Sequence, residues 1–207
     1  MTKYKIPFSK TSRHRINLEN CLKKITITGN ILDIGGAQKP IIGRISPKSK
    51  ILDYKILDLP VPHLSNSENI DYKFDIQSYS FDPQEIKVKF DAIFCLEVSL
   101  YWHDPVQALR NIVGLMNPTT KLYINFHQLY ANQKPISMDM LRYSSNWIDK
   151  MCRIYNLREI STEISQLSML SSLALKFIYK IERMRLNEEY THSKSNSFFL
   201  VLEIAND

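Results

Sequence analysis

The sequence Asn30-Ile31-Leu32-Asp33-Ile34-Gly35-Gly36 joins a short apolar run to a pair of glycines. The chain contains only five glycines, and four of them lie between residues 29 and 43. Glycine allows backbone conformations and close contacts that other residues do not. We therefore expect a buried strand here, followed by a loop whose main chain comes close to a ligand.

Four further short and mostly apolar runs follow along the chain, at residues 55–59, 90–96, 121–126 and 197–204. Nearly continuous apolar runs of this length are typical of strands that are buried on both faces of a parallel sheet. Helical patterns separate several of these runs, at residues 105–116, 144–155 and 165–186. This alternation predicts an α/β doubly wound fold with a mostly parallel sheet.

The composition is that of an ordinary globular domain with short arms: 207 residues, 44% of them hydrophobic and 23% charged. The three cysteines, Cys21, Cys95 and Cys152, have no C-x-x-C spacing, which argues against a disulfide framework or a zinc site. They indicate reduced thiols in a cytoplasmic protein, and no metal site is predicted. Because no apolar run approaches about 18 residues and the N-terminal residues lack an apolar core, we expect no membrane span and no signal peptide.

The net charge of +6 comes from the N-terminal part of the chain. Residues 1–28 contain seven lysines and arginines and a single acid, Glu19, whereas the remaining residues comprise 20 basic and 20 acidic ones. Only this arm offers a nucleic acid an electrostatic reason to bind, and a solvated basic segment is the simpler interpretation. We divide the chain into a basic arm with a first helix, residues 1–27, and a domain at residues 28–207.

A nucleoside ligand is indicated by the loop after the first strand and by Asp58. In an open parallel sheet, ligands bind beyond the carboxyl ends of the strands. Asp58 ends the second apolar run, 22 residues after Gly36, where a carboxylate accepts hydrogen bonds from a ribose. A dinucleotide site would have G-x-G-x-x-G, but Ala37 and Pro40 stand where the second and third glycines belong. We therefore favour S-adenosylmethionine over a nicotinamide cofactor.

Four segments in this order resemble the class I S-adenosylmethionine-dependent methyltransferases. They are Ile31-Leu32-Asp33-Ile34-Gly35-Gly36, Asp58, Asp71-Tyr72-Lys73-Phe74-Asp75-Ile76, and Phe90-Asp91-Ala92-Ile93-Phe94-Cys95-Leu96-Glu97-Val98 with the segment that follows it. The resemblance spans about residues 28–126 and is strongest to small bacterial enzymes found among sugar and cell-envelope proteins. It implies a Rossmann-like methyltransferase fold with a mostly parallel, seven-stranded sheet.

The resemblance also implies which residues bind the cofactor. The glycine loop would cradle the methionine part, Asp58 would bind the ribose hydroxyls, Asp75 would accept from the adenine amino group, and the amide of Ile76 would meet the ring. The full implied set is Asp33, Gly35, Gly36, Ala37, Asp58, Leu59, Asp75, Ile76, Cys95, Leu96 and Glu97. The same residue types allow simpler interpretations, because Asp33 and Asp58 also suit turns. Glu97 suits contact with either the cofactor or the substrate.

Two departures from the family pattern favour an alternative, a catalytically inactive relative that uses the fold for binding. Ala37 and Lys39 replace glycines of the first segment, and Leu100-Tyr101 replaces the glutamate-histidine pair that commonly follows the fourth strand. The candidate general bases for an acceptor that must lose a proton are Tyr101, His103 and His127. His103 has a structural alternative, which is to cap the helix that begins at Asp104-Pro105.

The acceptor is expected to be a small molecule or a carbohydrate-linked one, chosen by the loops at about residues 127–145 and 165–195. An RNA acceptor that docks on the basic arm is the alternative. The helix at residues 165–186 belongs to a helical insertion at about residues 165–190. Its apolar stripe is typical of packing on the sheet, and a dimer seam or a membrane-surface helix is the other interpretation.

Overall fold

The computed structural model describes residues 13–59, 69–128, 140–166 and 195–205. Seven strands form one sheet: β1 Thr28–Ile34, β2 Lys50–Asp58, β3 Tyr72–Lys73, β4 Ala92–Cys95, β5 Lys121–His127, β6 Leu157–Gln166 and β7 Ser195–Ile204. The α-helices are α1 Arg13–Leu22, α2 Pro105–Gly114 and α3 Ser145–Ile154. Among the connections, Pro83–Glu85 and Ser99–Tyr101 form 3₁₀ turns.

The strands follow the order β3-β2-β1-β4-β5-β7-β6. Strand β7 runs antiparallel to both of its neighbours, and the other pairings are parallel. This confirms the predicted doubly wound, mostly parallel, seven-stranded sheet. The chain proceeds outward from β1 through β2 to β3 and then crosses back to β4, so the strand order reverses between β1 and β4. A crevice at the carboxyl ends of these two strands is the place where such sheets bind ligands.

The sheet is buried on both faces, as the continuous apolar runs predict. Because successive side chains of a strand point to opposite faces, Leu32 and Ile31 belong to different core clusters. The cluster around Leu32 is completed by helices α2 and α3, with side chains that include Leu109, Ile112, Ile148 and Met151. The cluster around Ile31 includes Leu18 and Leu22 of α1.

Two predicted helices are confirmed, and both begin at a side-chain cap. The carboxylate of Asp104 accepts a hydrogen bond from the Gln107 amide at 3.0 Å, and Pro105 occupies the first position of α2. The hydroxyl of Ser144 accepts from the Trp147 amide at 3.2 Å at the start of α3. The cap of α2 is therefore Asp104, and the alternative in which His103 caps this helix is wrong.

Strand β6 was not among the strands predicted from the sequence. Its apolar residues Leu157, Ile160 and Ile164 are spaced by three and four, which is the spacing of a helix. The segment is nevertheless extended because it pairs along its length with β7. The helix predicted at residues 165–186 is therefore wrong at Ser165 and Gln166, and its remaining residues lie outside the described part of the chain. No helix in the described ranges has the length and apolarity needed to cross a membrane.

Candidate active site

A cleft of about 660 Å³ opens at the carboxyl ends of β1, β2 and β4. Nine of the eleven residues that the sequence assigned to the cofactor line this cleft: Asp33, Gly35, Gly36, Asp58, Leu59, Asp75, Ile76, Leu96 and Glu97. The other two, Ala37 and Cys95, are buried and do not line it. The structure therefore brings residues from four separate segments to one site at the reversal of strand order.

The two glycines after β1 are required by close contacts. Gly35 has a φ of +76°, and a Cβ atom there would lie 2.2 Å from Cγ2 of Val98. A Cβ atom at Gly36 would lie 2.3 Å from the carboxyl carbon of Asp33. Neither position accepts a side chain without rearrangement. The predicted loop is thus a tight main-chain wall of the cleft.

Asp33 holds this loop in place. Its Oδ2 atom accepts hydrogen bonds from the Ile41 amide at 2.7 Å and from the Tyr54 hydroxyl at 2.6 Å. Burial raises the pKa of the Asp33 carboxyl to about 6, against the lowering effect of these two hydrogen bonds. These contacts fit the simpler interpretation of Asp33 as a turn residue. The residue also lines the cleft.

Asp58 connects the end of β2 to the same loop. Its two oxygens accept from the amides of Ala37, at 3.1 Å, and Leu59, at 2.8 Å. Burial raises the pKa of Asp58. A carboxylate oxygen has two lone pairs, so an oxygen that accepts one amide also has room for a ligand hydroxyl. Ala37 thus belongs to the site through its amide and not through its side chain.

The segment after β3 is organised by Gln77, which the sequence analysis missed. The Oδ1 atom of Asp75 accepts from the Gln77 amide at 2.9 Å and from its Nε2 at 3.3 Å. The Oε1 atom of Gln77 in turn accepts from the amides of His103, at 2.6 Å, and Asp104, at 2.9 Å. Gln77 is buried and lines the cleft. A lone glutamine gave no pattern that could have identified it.

Phe74 gives the cleft an apolar surface next to Asp75. Its ring is partly exposed and packs edge-on against Phe81, with ring centroids 5.3 Å apart. Together with Ile76 it lines the end of the cleft that the resemblance assigns to an adenine ring. Flat apolar surfaces of this kind suit the face of a base.

Glu97 follows β4 directly and adopts a φ of 61°, which is rare for a residue other than glycine. Its amide donates to Oδ1 of Asn125 at 2.7 Å, and its carboxylate accepts from Nδ2 of the same residue. Asn125 lies on β5 and is fully buried. Strained residues that the surroundings hold in place are characteristic of functional sites. Glu97 was predicted from the sequence, whereas Asn125 was not.

The three candidate bases occupy different environments. Tyr101 and His103 line the cleft, and the His103 side chain is exposed to solvent. His127 is fully buried and does not line it; its Nε2 atom lies 3.3 Å from Oε1 of Glu97. The interpretation of His127 as a group that contacts substrate is therefore corrected, because Glu97 lies between it and the cleft. Leu100 is likewise buried, so of the pair Leu100-Tyr101 only the tyrosine lines the cleft.

Helix α1 contributes charged residues that the sequence analysis placed in the basic arm. Nη2 of Arg15 lies 3.7 Å from Oε2 of Glu97, and Arg15 lines the cleft. Glu19 pairs with Lys39 at 2.6 Å and with Arg44 at 3.0 Å. Burial by itself would raise the pKa of Glu19, but hydrogen bonds from Arg44 and Lys39 lower it below its ordinary value. These pairs attach α1 to the loop after β1.

The described ranges contain no group of three or more histidine, cysteine, aspartate or glutamate residues arranged to hold a metal ion. Residues 1–12, with the first lysines of the arm, and most of the predicted insertion lie outside these ranges. The arm and the insertion therefore remain sequence predictions.

No protein-family model matches this sequence, and no curated protein matches it. Solved structures do share its fold. A chain from the Haloferax volcanii complex that contains the Trm112 methyltransferase activator is 16% identical, with a TM-score of 0.60 over 93% of this chain and 90% of the other. An S-adenosylmethionine-dependent methyltransferase from Clostridium acetobutylicum is 11% identical, with a TM-score of 0.57 over 92% and 89%.

A third structure is phosphoethanolamine N-methyltransferase 2 of Haemonchus contortus in complex with S-adenosyl-L-methionine. It is 12% identical, with a TM-score of 0.57 over 92% of this chain, which spans about half (53%) of its length. Identities this low establish the fold and leave the activity open, since one fold hosts many functions. The chain has the Rossmann-like fold of the class I S-adenosylmethionine-dependent methyltransferases.

Proposed function

We propose that this chain is an S-adenosylmethionine-dependent methyltransferase that acts on a small-molecule or carbohydrate-linked acceptor. The observation that carries the proposal is the assembly of nine predicted cofactor residues around one cleft at the reversal of strand order. The fold likeness to methyltransferases supports it. The carbohydrate-linked alternative comes from the sequence resemblance to small bacterial methyltransferases found among sugar and cell-envelope enzymes.

The residues along the cleft fit the cofactor. Gly35 and Gly36 line the cleft with main chain, because close contacts with Val98 and Asp33 leave no room for a side chain at either position, and this main-chain wall suits the methionine part. Asp58 is placed to accept from ribose hydroxyls, and Phe74 and Ile76 offer apolar surface for adenine. When bound, S-adenosylmethionine supplies a methyl group on a positively charged sulfur. The protein then has to hold the acceptor, orient it and exclude water.

The rival function is an inactive relative that keeps the fold for binding. That rival predicts that Tyr101 and Trp102 fill the site. Both side chains instead form part of the wall of an open cleft, and Trp102 is itself fully buried among core residues. This geometry favours a site that admits a ligand. We expect such an enzyme to work in the cytoplasm, in keeping with its free cysteines.

Titration calorimetry of the full chain with S-adenosylhomocysteine tests the proposal. We expect binding to the wild-type protein and a loss of affinity of about tenfold or more in Asp58→Asn, because the amide has one acceptor oxygen in place of two. The matched control is Asp53→Asn, on the same strand and away from the cleft, which should bind like wild type. Absence of binding to the wild-type protein, or equal binding by Asp58→Asn, would refute the proposed function.

A further inference from the structure

Glu97 is fixed in position by the neighbouring strand. A positive φ at a residue other than glycine is strained and persists only when the surroundings impose it. Here Asn125 imposes it by accepting from the Glu97 amide at 2.7 Å and donating to the Glu97 carboxylate. The carboxylate is thus pre-organised before any ligand binds.

Of the three contacting residues Glu97, Asn125 and His127, only Glu97 reaches the cleft. Its side chain is 20% exposed, whereas that of His127 has no exposed surface. Asn125 is equally buried. A ligand at the carboxyl end of β4 can therefore contact the Glu97 carboxylate directly, and Asn125 and His127 act on the ligand only through it.

The charged and titratable groups around Glu97 come from three elements. His127 of β5 lies 3.3 Å from Oε1, and Arg15 of α1 lies 3.7 Å from Oε2. Tyr101 and His103 line the same cleft after β4. The Arg15 side chain is 43% exposed, and an ion pair of this length and exposure contributes little. A cation that approaches Glu97 more closely from the cleft can replace it.

The chemistry of a carboxylate selects among acceptors. The ordinary pKa of a glutamate is about 4.3, far below that of an alcohol, so a carboxylate removes a proton from a hydroxyl only with difficulty. The pKa of an ammonium group is about 10.4 in a lysine-like amine, which is closer to the pKa of glutamate than that of an alcohol is. The positive charge of the ammonium group also attracts it to a carboxylate. Tyr101 lines the same cleft, and aromatic faces attract cations.

Resting on the proposed function, we propose that the acceptor is an amine, and that Glu97 binds its ammonium group and accepts a proton from it. The proton moves from the nitrogen to a carboxylate oxygen of Glu97. The electron pair of the broken N–H bond stays on the nitrogen, which becomes the nucleophile. Asn125 and His127 are positioning residues that hold the carboxylate.

Two cofactor analogues test this without knowledge of the acceptor. S-adenosylhomocysteine has no group at the methyl position, whereas sinefungin carries an amine there. Calorimetry of the full chain gives the ratio of the two affinities. We expect Glu97→Gln to lower the affinity for sinefungin by about tenfold or more, because a neutral amide replaces the charge that binds the ammonium group. The affinity for S-adenosylhomocysteine should change by less than about twofold, well under 1.4 kcal/mol.

The control is Asp75→Asn, which alters a carboxylate at the other end of the cleft and should weaken both analogues by the same factor. If Glu97→Gln leaves the affinity ratio unchanged, the amine proposal is overturned while the proposed function stands. If the wild-type protein binds neither analogue, both fail. Should Glu97→Gln not fold, Arg15→Met removes the competing cation and should raise the preference for sinefungin; an unchanged preference overturns the proposal.

Discussion

The carboxyl group of Asp33 occupies the space that a side chain at Gly36 would need. A Cβ atom built on Gly36 lies 2.3 Å from the Asp33 carboxyl carbon. The same carboxylate binds the Ile41 amide and the Tyr54 hydroxyl. The glycine and the aspartate therefore require each other: the buried acid holds the loop, and the absent side chain makes room for the acid.

The first prediction follows from this contact. Gly36→Ala forces the loop or Asp33 to move, and we expect a loss of about 1–3 kcal/mol in the free energy of unfolding. The affinity for S-adenosylhomocysteine should fall at least about tenfold, because the displaced loop is the wall of the cleft. Urea unfolding and calorimetry measure the two effects.

Gly43→Ala is the matched control, since a Cβ atom at Gly43 meets nothing within 4 Å. Its φ of +81° still disfavours alanine, so stability should fall by about 1–2 kcal/mol while ligand affinity is kept. A Gly36→Ala protein that binds like wild type would show that the contact is unimportant.

The second prediction concerns the pH dependence of stability. Burial raises the pKa of Asp33 to about 6 in the folded protein, from 3.8 in the absence of perturbation. The folded state therefore binds the proton more tightly than the unfolded state. The stabilisation is fully present below about pH 4 and is lost as the pH rises through about 6. The difference between the two pKa values corresponds to about 3 kcal/mol.

Asp33→Asn removes this titration and keeps an oxygen that accepts from Ile41 and Tyr54. We expect the variant to gain about 3 kcal/mol relative to wild type between pH 4 and pH 7. Urea unfolding at several pH values measures the difference. Asp53→Asn, at a partly exposed carboxylate, serves as the comparison. A difference between Asp33→Asn and wild type that stays constant with pH would contradict the prediction.

The third prediction concerns the contact between Asn125 and Glu97. Asn125→Asp keeps the oxygen that accepts from the Glu97 amide and replaces the donor that faces its carboxylate. Two carboxylates then meet, and we expect a loss of about 2 kcal/mol in stability at pH 7. Part of the lost stability should be regained at pH 5, because one proton shared by the two carboxylates restores a hydrogen-bond donor.

The affinity ratio of sinefungin to S-adenosylhomocysteine separates positioning from stability, and this ratio should differ between Asn125→Asp and the wild-type protein. Asn146→Asp, exposed on α3, is the control and should change stability by less than about 0.5 kcal/mol. An unchanged ratio in a folded Asn125→Asp protein would show that Asn125 has no role in positioning Glu97.

Several tertiary contacts of the site were not predictable from local patterns. Asn125 is 28 residues from Glu97, and four strands, β1 to β4, lie between Arg15 and Glu97 along the chain. Gln77 reaches the amides that precede α2 across 26 residues. No periodicity or spacing rule links positions so far apart, because their contact depends on how the strands are ordered in the sheet.

Strand β6 shows the same limit for secondary structure. The spacing of Leu157, Ile160 and Ile164 indicates a helix, but hydrogen bonds to β7 make the segment a strand. A short segment of this kind has only a weak preference of its own, and the free energy of pairing with a neighbour exceeds it. The apolar runs at β1, β4, β5 and β7 were recognisable because burial on both faces leaves a continuous signal in the sequence.

The features that depend on neighbouring residues were predictable from the sequence. These are the buried strands, the pair Gly35-Gly36 after β1, the helices α2 and α3, and the acids at the strand ends. Tertiary structure alone decided that Glu97 is held by Asn125, that His127 lies behind it and that Arg15 faces it. The physical reason is the separation along the sequence of the residues that interact. Local conformation follows from the sterics and hydrogen bonds of adjacent residues, whereas a site forms from side chains that meet only when the sheet is assembled.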